Sequence, residues 1–553
     1  YFILTLGQNS GHYCCPSGAY DRITGISPSK CARRDLVSEL HDVLAPNGIR
    51  LMVYLPAGAP EFEPVAVKEF AWTKGGRCAE FQRKWESVIR EWSLRWGSKV
   101  SGWWFDGCYF NDEMYRHPDE PNFKSFAAAI RAGNPESLIG WNPGVKYPPY
   151  TVDTNEDYTA GEVNEPQEVD APGRWVKQAQ FHILTYIGKT WGQLPIRFTA
   201  AEVIGHTLSF TDYGGVVTWD VPLTYEGLIN PDAFAILKEI GKAVDATRGR
   251  PDMEPQKVVR PSISFLNVPS FGETGKSCGR LCLTLKNRWD ERISGEIELA
   301  VEPACFARIE GAGRIAYDLE PGVEARAELV FTLGETVSAE TGGRIVLTRG
   351  DGRRLSYRLP RRERVALPRL VGLPSLAEMA DAMKEVPSRM IVTEEGRGLA
   401  DVKLAIADGH LAVFCRIGDQ IMRQAPGVWD GSCMEIFGIA KQGEKINQLF
   451  LIPATANLPA KALRLIPAEH HSKIKIVPAP ELKFESWSVA GGYNSAALIP
   501  LACWLKRPAP PDSFFFEIIV NTGVAMNSFG RASMFGNINA SYQSEGYALA
   551  SVI

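Results

Sequence analysis

The chain has 553 residues, 45% of them apolar and 22% charged, with a formal net charge of −4 at pH 7. That is globular composition, with room for three or four domains, and it excludes a disordered chain. No basic cluster and no apolar run of about 18 residues is present, so neither nucleic acid nor a membrane is an expected partner.

Residues 1–245 alternate strands with helices. Tyr1–Leu6 reads as a buried strand with no lead-in, so the natural N-terminus is expected to lie upstream of the given sequence. "RRDLVSELHDVLAPNG" has helical spacing, with Leu36, Leu40 and Val43 on one side and a stop at Gly48. "IRLMVYLP" is a strand, "EFQRKWESVIREWSLRWG" a long amphipathic helix and "SGWWFDG" the next strand. "FKSFAAAIRAGNP" is a helix and "SLIGWNP" a strand. Further strands are expected near Tyr158–Val163, Gln178–Tyr186 and Val216–Trp219, with helices at Ala200–Leu208 and Pro231–Val244. Continuous apolar strands between helices imply parallel strands covered on their outer face. The fold class expected is α/β, a TIM-type (β/α)₈ barrel lacking its first strand or so, over residues 1–250. A doubly wound sheet is the alternative, weakened because no glycine-rich phosphate loop follows any strand.

The texture changes at "RPDMEP", which reads as a linker. Over residues 258–367, short apolar runs such as "SISFLNV", "LCLTLKN" and "GRIVLTR" alternate with Gly, Asp and Asn turns, the signature of an immunoglobulin-sized β-sandwich. A second linker, "RVALPRLVGLP", leads into a larger β-rich part, so residues 368–553 are read as a second sandwich. The eleven Cys are scattered without a CxxC pair or zinc spacing. Most read as buried free thiols, one or two disulfides stay open, and neither a metal nor a cofactor is expected. The 14 Trp fit sugar-binding proteins and all-β cores equally.

In a barrel, catalytic groups stand at the C-terminal ends of strands. The readable ends are "LGQNSGHY", "VYLPAG" and "WWFDGCY", and Asp106 is the only acid directly at one. A helix cap or a loop-ordering role is the plain alternative. Glycoside hydrolysis needs two carboxylates, and "NEDYTAGEVNEP" offers Glu156, Asp157, Glu162 and Glu165 for the second. Alternation sends Trp104 to the same side as Asp106. His12 and His182 are further pocket candidates, though each reads first as a structural histidine.

Four stretches in order resemble the α-L-fucosidases of glycoside hydrolase family 29: "YFILTLGQNSGHYCCPSGAYDRI", "NGIRLMVYLP", "SGWWFDGC" and "TWG" with "EVIGHTLSFTDYGGVVTWDVPLTYEGLINPDAFAILKEIGKAV". Together they cover about residues 1–245. The resemblance implies a retaining double displacement with Asp106 as nucleophile and Glu162 as acid/base. It places Tyr54 on a sugar-contacting tyrosine and Trp104 on an apolar wall, and the sugar cradle comprises Gln8, Asn9, His12, Tyr54, Trp104 and Trp219. The departures are Gln8 and Asn9 where the family has adjacent histidines, Ser10 for its following Asp, and Cys15 for a Trp. Its arginine is missing from "IGWNPGVKYPP", where Lys146 is the nearest cation, and "TWDVP" brings in Trp219 and Asp220. A changed cradle opens the sugar to fucose or a relative.

"LAVFCRIGDQ" and "WDGSCMEIFGIA" resemble strands of family 9 carbohydrate-binding modules, which makes Trp429 and Trp487 stacking candidates; a purely structural sandwich is the alternative. The partner expected is a glycan or polysaccharide, the oligomeric state is open, and a secreted or periplasmic location is the expectation. Two other functions stay in play: a non-catalytic carbohydrate-binding protein on a glycosidase barrel, and a polysaccharide lyase on the same scaffold.

Overall fold

Four parallel strands open the chain in the computed structural model. β1 (Phe2–Thr5), β2 (Leu51–Pro56), β3 (Val100–Asp106) and β4 (Leu138–Trp141) pair in that order. The structure describes residues 1–552 apart from 74, 110, 171, 249–256, 271–277, 335–341, 361, 394–395, 426, 468–473, 524–529, 537–539 and 542–543. The linker expected at "RPDMEP" lies outside the described residues.

Helices follow the strands as their sequences require. Asp35 caps α1 (Leu36–Leu44) by accepting the Ser38 N–H at 3.2 Å. α2 (Ala79–Trp96) buries Phe81, Trp85, Val88, Ile89, Trp92 and Trp96, spaced three to four apart along one face. With α3 (Phe123–Ile130) it receives the outward side chains of β3: Trp103 lies 5.8 Å from Trp96, and Phe105 4.9 Å from Phe126, centroid to centroid. The alternate residues of β3, Trp104 and Asp106, therefore point to the other side of the sheet.

β5 (His182–Tyr186) and β6 (Val216–Asp220) form a second parallel pair. Between the two sheets runs the segment expected as a strand at Tyr158–Val163. It makes only single bridges, Tyr158 to Gln180 and Glu162 to Leu184, because Gly161 leaves the extended region at φ +64°. Its backbone still spans the gap, with Asp157 N–H donating to Ile139 O and Val163 N–H to Leu184 O, both at 2.9 Å. Across the remaining opening, the Tyr1 hydroxyl and Thr218 Oγ1 are 2.5 Å apart. The first part is thus mixed α/β with parallel strands, and among the described residues no continuous eight-stranded ring forms. α4 (Ala200–Thr211) and α5 (Pro231–Arg248) pack outside β6.

Two four-stranded antiparallel sheets follow, closing over a core that includes Leu281, Leu283, Ile297, Phe331 and Leu347. They are tied to α4 by ions: buried Asp212 accepts from Arg349 at 2.8 Å and from Arg353, and Glu202 accepts from Arg344. The last part sets an eight-stranded sheet against a five-stranded one. "RVALPRLVGLP" is not wholly a linker. Arg364–Leu367 pairs in parallel with Ala548–Val552, which places Val365 and Leu367 against the last core. All eleven cysteines are free, six of them buried. No described helix is long and apolar enough to cross a membrane.

Candidate active site

The C-terminal ends of four consecutive strands bring four polar side chains together. Asp106 ends β3. Gly107, at φ +73°, turns the chain so that its own N–H donates to Asp106 Oδ1 at 2.8 Å. Gln8, just past β1, donates its amide to Asp106 Oδ2 at 3.2 Å and also to the Tyr54 hydroxyl. Tyr54, in register with Trp104, donates its hydroxyl to the same Asp106 oxygen. Its ring stacks on Trp104 at 5.2 Å and 15°, and Trp104 is fixed in turn by its indole N–H to Ala160 O at 2.9 Å.

The fourth residue is Asn142, just past the end of β4. Its amide nitrogen donates to Asp106 Oδ1 at 2.9 Å and to Glu162 Oε2 at 2.6 Å, so these two carboxylate oxygens lie at most about 5.5 Å apart. Glu162 arrives through Gly161, whose positive φ and close approach to the His182 carbonyl leave no space for a side chain. Both carboxylates are half-buried. Burial first, and the negative charge of Asp106 second, push Glu162 up to about 7, against the opposing hydrogen bond from Asn142. Burial, with the charge on Asp106, also holds the Tyr54 phenol far above its usual range. For Tyr109 that charge comes first and burial second.

The other acids of the loop are engaged elsewhere. Glu156 is buried and accepts backbone N–H bonds from Trp141 at 2.9 Å, Asp153 at 3.0 Å and Val152. Burial pushes it up to about 8. Asp157 pairs with Arg131 at 2.7 Å and Glu165 with Arg197 at 3.2 Å. Glu162 alone of the four reaches Asp106.

The remaining cradle residues divide. Asn9 and exposed His12 stay on the loop after β1, where Asn9 O accepts from Phe62 N–H at 2.9 Å. Trp219 is not brought to the cluster. It points outward from β6, with its indole N–H donating to Thr207 of α4 at 2.9 Å, because the inward positions of that strand are Val216, Thr218 and Asp220. His182 is an interior structural histidine, held between Thr159 O at 2.8 Å and Thr218 Oγ1 at 2.7 Å and lowered to about 4 by burial. Lys146 is half-buried beyond Asn142, with its pKa lowered by burial. Asn142 itself carried no motif; its signal was its place one residue past the fourth strand. In the last sandwich Trp429 packs edge-on against Phe450 at 5.6 Å, whereas Trp487 remains 37% exposed. Two cavities, of about 870 Å³ beside Arg197 and Arg344 and about 690 Å³ at the opposite ends of the strands, lack this carboxylate pair.

No family model and no curated protein matches the chain. Its fold neighbours among solved structures include the endo-fucoidan hydrolase MfFcnA9 of glycoside hydrolase family 107, at 12% identity over 100% of this chain and 91% of that one, TM-score 0.38. A bacterial fucosidase with a monovalent iminocyclitol inhibitor matches at 16% identity over 60% of this chain and 78% of that one, TM-score 0.34. A family 9 carbohydrate-binding module from Caldicellulosiruptor kristjanssonii, in complex with cellotriose, matches at 17% identity over 34% of this chain and 93% of that one, TM-score 0.26. All three TM-scores are below 0.5, so the chemistry of this chain has to come from its own site.

Proposed function

We propose that this chain is a retaining glycoside hydrolase of the α-L-fucosidase-like type, acting on fucose or a related sugar in a glycan or polysaccharide. The supporting observation is the carboxylate pair joined through Asn142. The ceiling of about 5.5 Å on the two bridged oxygens is compatible with the retaining spacing of about 5–5.5 Å between the carboxyl groups. The two environments also differ. Four donors converge on Asp106, from Tyr54, Gln8, Asn142 and Gly107, so its negative charge is met by fixed protein groups. Glu162 is pushed up to about 7 and is half protonated near neutrality.

In the first step an Asp106 oxygen attacks the anomeric carbon as Glu162 gives its proton to the glycosidic oxygen, and the alcohol leaves. A glycosyl ester on Asp106 remains. In the second step Glu162, now ionised, takes a proton from water. The water oxygen attacks the same carbon, and Asp106 departs as a carboxylate. Half-buried Tyr54, backed by the buried Trp104 ring, is the aromatic group beside the pair.

Asp106→Asn should abolish release of 4-nitrophenol from 4-nitrophenyl α-L-fucoside and of sugar from a fucose-rich polysaccharide. Proton NMR of the first product should show the anomeric configuration of the substrate. Undiminished turnover in Asp106→Asn, or an inverted first product, removes the nucleophile assignment. The alternative reading is a non-catalytic glycan binder on the same scaffold. That reading gains if the parent chain binds glycans and releases no sugar.

A further inference from the structure

We propose that Asn142 is the positioning residue of this site, fixing the distance between the two carboxylates through the two hydrogens of one amide nitrogen. The proposal rests on the roles given to Asp106 and Glu162 above. An Asn amide has two N–H donors on one atom, and here each meets a different carboxylate, Asp106 at 2.9 Å and Glu162 at 2.6 Å. The amide cannot be reversed without cost. Its Oδ1 accepts the Gly144 N–H at 3.1 Å, and turning it over would aim that oxygen at both acids. The backbone is clamped as well: Asn142 N–H donates to Phe105 O and Cys108 N–H to Asn142 O, each at 2.8 Å, so residue 142 is tied to the chain on both sides of Asp106. The residue is fully buried.

The groups facing Glu162 are Asp106 from β3, Tyr54 from β2, Tyr109 from the turn after β3 and Tyr186 from β5. None brings a positive charge. Asn142 is the side chain that stabilises ionised Glu162, and burial and Asp106 both act against it. Without the amide, two half-buried carboxylates would repel with no donor between them, so Glu162 would hold its proton to higher pH and the pair would spread.

The test uses the whole chain labelled with carboxyl-¹³C glutamate, the Glu162 signal being assigned with Glu162→Gln. In Asn142→Leu its midpoint should rise from about 7 by roughly one unit, the worth of one hydrogen bond. With 4-nitrophenyl α-L-fucoside as probe, kcat should fall at least about tenfold with KM within about twofold, and the alkaline limb of the rate should move up with the midpoint. Asn142→Ser keeps one hydroxyl donor, should lie between, and guards against a fold lost in the Leu variant. An unmoved midpoint, or a raised KM with kcat kept, overturns the proposal. A parent chain that hydrolyses no glycoside refutes the glycosidase reading instead, and the NMR titration still decides whether the amide holds the acid.

Discussion

Glu162→Gln should separate stability from activity, with pH as the lever. In the folded chain Glu162 is raised from an ordinary 4.5 to about 7, chiefly by burial. A carboxyl raised on folding binds its proton more tightly in the folded state than in the unfolded one. Its favourable contribution is therefore complete below 4.5 and is lost as pH climbs through 7. Roughly 2.5 units at 1.36 kcal/mol each set an upper bound of about 3 kcal/mol lost by pH 8.5. The side chain is half-buried, so solvent screening brings the figure into the range of about 1–3 kcal/mol. Gln is neutral at every pH and keeps an oxygen for the Asn142 N–H. The variant should match the parent near pH 4.5 and exceed it by about 1–3 kcal/mol at pH 8.5. Urea unfolding followed by tryptophan fluorescence at the two pH values measures this, and hydrolysis should be depressed about 10²–10⁴-fold at both. A stability difference of equal size at both pH values would refute the argument that Glu162 carries an ionisation penalty.

Three further perturbations probe the frame. Asp212→Ala removes the buried one of two carboxylates that Arg349 and Arg353 share, leaving them the exposed Asp351, and should cost about 1.5–3 kcal/mol in denaturant unfolding; a loss under 1 kcal/mol would show that the ion cluster is not what ties α4 to the first sandwich. Tyr54→Phe removes one donor from Asp106 while preserving the stack on Trp104, so kcat should fall about 10²-fold and the fold should stay intact by circular dichroism. Gly161→Ala forces a side chain onto the His182 carbonyl at a positive φ, and should lower both Tm and activity, because the residue it displaces is Glu162; unchanged activity would separate Glu162 from the chemistry.

The strand carrying Asp106 was legible because its physics is local. "WWFDG" alternates, the helices bury Trp103 and Phe105, and Trp104 and Asp106 are left on the inner side. α2 was legible for the same reason, since its tryptophans recur at helical spacing. Trp219 was misplaced because one residue of register decides which side a strand residue faces. Nothing local in "VVTWD" sets that register; the pairing of Thr218 with Leu184 does. "RVAL" read as linker because its partner strand lies at the far end of the chain, beyond any local window.

The site itself was half legible. Gln8 and Tyr54 were expected to hold sugar hydroxyls, yet they bond to each other and to Asp106. Asn142 was passed over because an Asn before a Pro is an ordinary turn residue. Amides rather than imidazoles beside Asp106 have a consequence for the proposed reaction. A histidine beside Asp106 would titrate near neutrality and add its own limb to the pH profile. Gln8 and Asn142 cannot titrate, and Tyr54 and Tyr109 are held far above neutrality by burial and by the charge of Asp106. Between pH 5 and 9 the donors around the nucleophile are therefore constant; Glu162 is expected to set the alkaline side of the profile, and Glu156, pushed up to about 8 and bonded to the Trp141 N–H beside Asn142, is the second carboxyl that titrates in this window. Removing the neighbouring charge by Asp106→Asn should then lower the Glu162 midpoint, which the same ¹³C titration reads directly; a midpoint that stays near 7 would mean that burial accounts for the whole displacement and that the two carboxylates do not sense each other.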